Sequence, residues 1–355
     1  MRVALVLPGS IWYAPYVRIY TRILQDTGVE HSIISWNREG DDKPEGYQYN
    51  KPCANGHGSA GLKEYIGYIR FIKETIKEQA FERIIVFGPQ MTCLLSLYLL
   101  VHFRGRYMID YRDLSIEQKP GFKQLFALML KHSRVNVISS PGFKRCLPKQ
   151  NYYLSHNFDV DAVRSALSKS IEEDSFNVND TIDILTIGAI RDYASNVEVV
   201  KALANKNDVK LRFVGKGDAA DRISDYCKTE GILNVSFTGY YHKSEEARYI
   251  KSATFMNIFY PRIITHDTAM SNRFYNSLIY KKPMIVTKGT TQGDYVEQNR
   301  LGLSLSDCDS LYEQLISFIR EENYNVYAKR CNSLLRMFLK DQEAFETAIK
   351  GFVEL

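Results

Sequence analysis

The segment His266-Asp267-Thr268-Ala269-Met270-Ser271-Asn272-Arg273 is a polar turn rich in hydrogen-bonding side chains, placed just before an amphipathic stretch that ends at Lys281-Lys282-Pro283. A buried-strand pattern, Met284-Ile285-Val286, follows directly. A turn of this kind puts a helix N-terminus and a guanidinium at the edge of a sheet. There, free backbone N–H groups and a positive charge are suited to holding an anion. Glycines stand at three further strand ends, Gly188, Gly215 with Gly217 around Lys216, and Gly239. They permit a phosphate or a base to come close to the backbone, and equally they serve tight turns. A separate run, Asp110-Tyr111-Arg112-Asp113, closes a strand with two carboxylates and a guanidinium. Asp113 is the candidate general base, and pairing with Arg112 or capping of the next segment is its bland alternative. Asp110 is its rival for the same role, or else a buried structural carboxylate. No G-x-G-x-x-G lies between a strand and a helix, which argues against a dinucleotide oxidoreductase.

The elements that must position these residues alternate along the whole chain. Strand patterns at 3–7, 33–36, 84–88, 107–111, 135–139 and 153–159 are separated by helical stretches at 15–27, 62–79, 90–102 and 121–132. A second alternation has strands at 182–187, 209–214, 235–238, 254–258 and 284–286. Its helices run over 196–204, 219–229, 244–251 and 272–281, and a helical tail covers 309–355. Such alternation implies right-handed crossovers and parallel sheets. The reading is therefore α/β, with two doubly wound domains: residues 1–158, a linker at 159–180, residues 181–335, and a C-terminal helix 336–355 whose apolar face at Phe345, Ile349 and Phe352 must pack on something.

Composition bounds the rest. A 355-residue chain with 45% hydrophobic and 25% charged residues is long enough for two cores. Cys53, Cys93, Cys146, Cys227, Cys308 and Cys331 form no C-x-x-C pair, so neither zinc nor a dithiol redox site is expected. No Asp-x-Asp flanked by apolar strand residues is present, and no catalytic metal is expected. Residues 1–150 carry 21 Lys and Arg against 13 Asp and Glu, whereas the remainder carries 25 against 28. A basic first half suits an anionic partner, with a solvated surface as the alternative. The start of the chain reads as a first strand and not as a leader, and the apolar run 91–101 is too short to span a bilayer.

Taken together, the segment 266–286 resembles the donor-binding segment of family-4-like GT-B glycosyltransferases, of general form P-N-K-x-x-E-x-x-x-x-G-K-P-V-I. Asn272-Arg273 stand at the Asn-Lys positions and Lys282-Pro283 at Lys-Pro. Ser271 replaces Pro, Lys281 replaces Gly, and Asn276 stands where Glu would hold the nucleotide ribose. Thr268, with Asp267 beside it, falls on the upstream acidic position, and His266 and Asp267 would face donor sugar hydroxyls. Gly188-Ala189-Ile190-Arg191 resembles the loop after the first strand of such domains, with Ala194 and Ser195 where a Lys is usual and Arg191 in its stead. Val214-Gly215-Lys216-Gly217 and Phe237-Thr238-Gly239-Tyr240 resemble two further strand ends, the second bordering the base.

In the first domain Asp110 to Asp113 fall where relatives place a His or Asp near the acceptor hydroxyl. His156-Asn157-Phe158-Asp159 resembles the element closing that domain. The turn Gly9-Ser10, with Arg112, makes the acceptor-side loop.

The resemblance implies two Rossmann-like domains facing across a cleft, with the C-terminal helix returning to the first domain. It implies transfer of one sugar from a nucleotide sugar, UDP-sugar by default, to a glycan or lipid-linked acceptor in bacterial surface polysaccharide synthesis. Arg273 and Arg191 would stabilise the leaving diphosphate, without metal or other cofactor. The implied setting is the cytoplasm, against an anionic membrane surface through basic residues such as Arg104 and Arg106, and nucleic acid is not expected. A catalytically silent subunit of the same fold and a sugar-nucleotide 2-epimerase are the alternatives.

Overall fold

The computed structural model describes residues 1–40, 45–53, 60–170, 176 and 181–354. They divide into two compact units, residues 1–156 with 340–355, and residues 157–339.

Unit 1 is built on a seven-stranded parallel sheet. Its strands are β1 (Arg2–Val6), β2 (Glu30–Trp36), β3 (Tyr47–Tyr49), β4 (Arg83–Phe87), β5 (Tyr107–Tyr111), β6 (Val135–Ile138) and β7 (Tyr153–Leu154), in the order β3-β2-β1-β4-β5-β6-β7. Its helices are α1 (Val17–Asp26), α2 (Leu62–Glu78), α3 (Pro89–Leu94), α4 (Ser96–His102) and α5 (Phe122–His132). Both faces of the sheet are covered, so its central strands read as continuous apolar runs. Ala4 and Val6 point into one core with Ile84 and Val86. Val3 and Leu5 point into the other with Ile85, Phe87 and Met108. The expected helix at 90–102 is two helices, because buried Leu95 takes a ψ near 3° and ends the first.

Unit 2 opens with α6 (Val160–Ser168), which lies within the stretch expected as a linker. Asp159 caps it by accepting from the Asp161 and Ala162 amides, and Val163 is fully buried in the unit 2 core. The remainder of that stretch, 171–175 and 177–180, lies outside the described residues. Six parallel strands follow: β8 (Ile182–Ile187), β9 (Val209–Val214), β10 (Val235–Gly239), β11 (Phe255–Ile258), β12 (Met284–Thr287) and β13 (Gly302–Leu305), ordered β10-β9-β8-β11-β12-β13. The connecting helices are α7 (Tyr193–Ala202), α8 (Ala220–Thr229), α9 (Glu246–Ser252), α10 (Ile264–Thr268), α11 (Asn272–Ile279), α12 (Thr291–Asn299) and α13 (Leu311–Glu321). In each sheet the strand order reverses beside the first strand, at β1/β4 and at β8/β11. Ligands of open α/β sheets bind at the carboxyl ends of strands at that reversal.

The last helix, α14 (Tyr324–Val353), begins in unit 2 and ends in unit 1. Its Tyr327, Leu334 and Phe338 are buried in the unit 2 core. Its Phe345, Ile349 and Phe352 are buried with α1 and β1, where Phe345 meets Tyr20 edge-on at 5.3 Å between centroids. The apolar face of the tail thus covers the first sheet, and each such side chain contributes about 1.5–3 kcal/mol.

The loops after β8 and β9 extend the ladder beyond the strands, with Gly188 N–H donating to Val214 O and Ile190 N–H to Lys216 O, both at 2.9 Å. Their approach leaves no room for a side chain. A Cβ on Gly215 (φ +132°) would sit 1.9 Å from Gly188 O, and one on Gly217 2.0 Å from Ile190 O. Gly215→Ala therefore should lower unfolding stability by at least about 2 kcal/mol in a denaturant titration. An unchanged midpoint would show that the loops do not approach this closely.

Candidate functional site

A cavity of about 320 Å³ opens at the carboxyl end of β8, lined by Gly188, Ala189, Arg191 and Asp192 from the following loop. Ala269, Ser271, Asn272, Arg273 and Asn276 of the α11 region form a second wall. Ser271 is the N-cap of α11, its Oγ accepting from the Phe274 amide, so the first amides of that helix lack intrahelical acceptors at the cavity edge. Gln292, 2% exposed in the first turn of α12, accepts from both the Ser271 N–H and the Ser271 Oγ at 3.0 and 2.7 Å, which holds the helix start in place.

Arg273 is buried and bonded to the sheet itself. Its Nε donates to Ile187 O at 2.5 Å, Nη2 to Ala189 O at 2.8 Å and Nη1 to Asn257 O at 3.4 Å, with the ring of Tyr260 5.7 Å away. Carbonyls at the ends of β8 and β11 thus occupy much of the donor capacity expected for a phosphate. Arg191 is the opposite case. It is exposed at the cavity, and among the described residues its guanidinium has no hydrogen-bond or ion-pair partner. The cation available to an anion is therefore Arg191, and Arg273 shapes the wall.

Besides Asp192, the cavity has a buried carboxylate from an unexpected element. Glu246, at the first position of α9 and 8% exposed, accepts from Asn276 Nδ2 at 2.6 Å and from Tyr241 OH at 3.3 Å, and pairs with Lys243. Burial, reinforced by Glu246, pushes the Tyr241 phenol up to about 12. Asn276 is thus a donor here, and the acceptor for ligand hydroxyls is Glu246. An acid sharing the inward face of α9 with Ile250, four residues on, was the available sequence signal.

His266 stacks on Tyr260 at 5.0 Å and reaches Asp192 at 3.3 Å, both within the cavity lining. Other expected residues lie elsewhere. Asp267 pairs with Arg262 at 2.8 Å, and Thr268 is fully buried with its hydroxyl donating to Ile264 O. Gly215 and Gly217 meet backbone, Lys216 is exposed beside them, and Gly239 precedes an exposed Tyr240; none of these lines the cavity, whereas Tyr241 does. Glycine at 215 and 217 is explained by loop packing.

In unit 1, Asp110 has no exposed surface. It accepts from Tyr20 OH at 2.6 Å and Arg112 Nε at 2.9 Å, and Arg112 Nη2 continues to Ser155 at 2.8 Å. Burial holds the Asp110 carboxyl above its ordinary range, against the pull of Arg112. An acceptor hydroxyl has no access to such a group, so of its two readings the geometry fits the buried structural carboxylate, here a counter-ion for Arg112. Asp113 is exposed at residue level, and its carboxyl too is pushed upward, by the surrounding protein and by Asp110, with Arg112 opposing. Gly9 and Ser10 line a second cavity of about 220 Å³ with Tyr13, Tyr16, Arg38 and Gln90; Arg112 is outside its lining and stacks on Tyr16 at 4.3 Å.

His156, 1% exposed and 3.1 Å from Asp341, has its pKa lowered by burial, with Asp341 opposing and Arg112 adding to the drop. A histidine held neutral stabilises the fold above its unfolded value of 6.5 and loses that contribution as pH falls, because the unfolded chain then binds the extra proton. The melting temperature should accordingly fall between pH 7 and 5, more steeply for the native chain than for His156→Gln; equal slopes would exclude the effect. Among the described residues no group of three or more His, Cys, Asp or Glu is arranged to hold a metal ion, and no helix is long and apolar enough to cross a membrane.

Glu246→Gln keeps the Asn276 and Tyr241 neighbours but removes the charge. It should weaken binding of a hydroxyl-bearing ligand in this cavity by about tenfold or more in calorimetry, while melting within a few degrees of the native chain. Unaltered affinity would place the ligand hydroxyls elsewhere.

No family model matches the chain, and neither does any curated protein. Solved structures do. Sucrose-phosphate synthase from Thermosynechococcus elongatus is similar with a TM-score of 0.67 at 13% identity, over 100% of both chains. HepE of Anabaena, in complex with UDP, gives 0.63 at 12%, covering 98% of this chain and 99% of its own. WaaG, a glycosyltransferase involved in lipopolysaccharide biosynthesis, gives 0.58 at 12%, over 94% and 95%. At these identities the likeness establishes the fold. The chain has the two-sheet α/β architecture of GT-B glycosyltransferases, with the terminal helix returning to the first sheet.

Proposed function

We propose that the chain is a glycosyltransferase that moves one sugar from a nucleotide sugar to a glycan acceptor. The observation that carries this reading is the cavity at the end of β8. It joins an unpaired guanidinium, Arg191, the open amides of α11 and a buried carboxylate, Glu246. Arg191 and the amides suit a diphosphate, and Glu246 suits the hydroxyls of a ribose or sugar. UDP-sugar is the donor of first choice, in keeping with the UDP bound by the similar HepE.

In the reaction the acceptor oxygen bonds to the anomeric carbon as the diphosphate leaves with the bonding electrons. Asp113 takes the acceptor proton, its raised pKa making it a stronger base. Arg191 offsets the charge gathering on the diphosphate, a role that dispenses with a metal, and Arg273 positions the wall behind it. We further assign the acceptor to a lipid-linked glycan of bacterial surface polysaccharide, handled at the cytoplasmic leaflet. Exposed Leu97 and Val101 on α4 and exposed Phe122 and Leu128 on α5, two helices in contact, lie beside Arg104, Arg106, Lys119 and Lys123 in sequence. Apolar and basic groups together favour an anionic membrane surface. The similar WaaG acts in lipopolysaccharide synthesis.

Melting curves with UDP, GDP, CDP and ADP and their sugar conjugates, followed by donor-turnover assays, test the reading. One nucleotide family should raise the midpoint. Arg191→Ala should weaken that binding about tenfold or more. Asp113→Asn should cut turnover by about 10²–10⁴ with donor affinity kept. Full turnover by Asp113→Asn removes it as the base, binding without turnover of any donor identifies a silent donor-binding subunit, and no binding at all refutes the proposal.

A further inference from the structure

Asp192 lines the cavity at the end of β8, directly after Arg191 and directly before α7. Its backbone is left-handed, φ +60° and ψ +66°. Aspartate enters that region more readily than most residues because its short side chain can bond to nearby backbone. It is also a favoured N-cap, accepting from the first amides of a helix. Here the carboxylate makes no capping bond to α7, and Oδ1 lies instead 3.3 Å from Nε2 of His266. The turn is held by Asn196, 3% exposed, whose Nδ2 donates to Arg191 O at 2.6 Å and to Asp192 O at 3.1 Å. Backbone strain maintained at a cavity wall, with a capping bond forgone, marks a side chain placed for a ligand.

The partner of Asp192 is itself fixed. His266 stacks on Tyr260 with 18° between the ring planes. Tyr260 is tied to β12, its N–H donating to Thr287 Oγ1 at 2.8 Å and its carbonyl accepting from the same hydroxyl at 2.6 Å. The imidazole plane is thereby set, and a proton on Nε2 sets the carboxylate. The acid that faces His266 is Asp192 and not its sequence neighbour Asp267, which is paired with Arg262. Both members of the pair remain accessible, with 20% of the Asp192 side chain and 27% of the His266 side chain exposed. Asp192 Oδ2 has no partner among the described residues and is not enclosed, so it is open to accept from a ligand.

A nucleotide sugar carries hydroxyls on both sides of its diphosphate, on the ribose and on the sugar to be transferred. The cavity offers carboxylates from two elements, Asp192 in the β8 loop and Glu246 in α9. Glu246 is the more enclosed, its side chain 10% exposed and bonded to Asn276 and Tyr241. The transferred sugar must stay within reach of an acceptor oxygen, so it belongs to the more open carboxylate. We infer that Asp192, positioned by His266, accepts from hydroxyls of the transferred sugar and selects a neutral hexose over a uronic acid, leaving the ribose to Glu246. A carboxylate on the sugar would meet Asp192 as a like charge. The inference rests on the nucleotide-sugar reading and names, within it, the residue that chooses the sugar.

The test is calorimetric titration of the full chain with UDP, UDP-glucose, UDP-galactose, UDP-N-acetylglucosamine and UDP-glucuronic acid. If the melting curves select another nucleotide, its own conjugates take their place. In the native chain the best neutral conjugate should bind about tenfold or more tighter than the glucuronic acid conjugate. Asp192→Asn keeps a residue that tolerates the left-handed turn, so it should melt near the native temperature. It should weaken the best neutral conjugate by about tenfold or more and change UDP by less than about twofold. His266→Ala should act in the same direction and to a smaller extent, again with UDP affinity kept. Failure of every nucleotide to bind refutes the reading on which the inference rests. Where UDP binds, three results overturn the inference alone: neutral-conjugate affinity that survives Asp192→Asn, a loss of UDP affinity as large as that of the conjugate, or tightest native binding of the glucuronic acid conjugate.

Discussion

The guanidinium of Arg273 is the point on which the candidate site depends. Parallel strands end in carbonyls that have no further strand to accept from, and at the β8/β11 reversal those carbonyls converge. One planar cation bonded to Ile187, Ala189 and Asn257 satisfies them and ties the first turn of α11 to both strands. A lysine offers a single point of attachment and lacks the planar fork needed to reach all three. With that tie in place, α11 presents its open amides and Asn276 to the cavity, and Gln292 holds the cap residue from the other side.

This arrangement also separates two jobs that the sequence pattern assigns to one kind of residue. Arg273 and Arg191 are both arginines near strand ends, yet one is spent on the backbone and the other stands in solvent. The same division is seen in unit 1. Asp110 and Asp113 lie three residues apart, but the first is enclosed with Tyr20 and Arg112 while the second is exposed. An outward or inward position along a strand end, more than residue type, decides which group is available for chemistry.

Much of the architecture was legible in the residues, because parallel sheets buried on both faces announce themselves as apolar runs between helical spacings. Strands β1, β4, β5, β8, β9 and β11, and the inward face of the tail, follow from that pattern alone. Short elements escaped it. Strand β3 has three residues and no fully buried side chain, and β13 reads as Gly-Leu-Ser-Leu, too brief and too polar to stand out. Helices α10 and α12 are likewise short, with polar sequences that do not show helical periodicity. The site was legible to the extent that it sits on one contiguous segment: Ser271, Asn272, Arg273 and Asn276 are found together with Gly188 and Arg191. Glu246 and Gln292 were not read, since their importance comes from approach in space by helices remote in sequence. Gly215 and Gly217 stayed open between ligand and turn, because a glycine required by another backbone has the same sequence signature as one required by a ligand.

The contact between Glu246 and Asn276 carries a consequence for how this cavity can vary. The two side chains are 2.6 Å apart, an amide donating to a carboxylate. A second carboxylate at position 276 would face the first at close range, where like charges repel by about 4 kcal/mol in a partly screened setting. A carboxylate at 276 is therefore unfavourable while Glu246 stays, and removing Glu246 first leaves Asp192, 3.3 Å from His266, as the cavity's carboxylate. The two positions are therefore coupled: the amide at 276 suits the cavity because a carboxylate at 246 faces it, and a change at either one alters what the other can be.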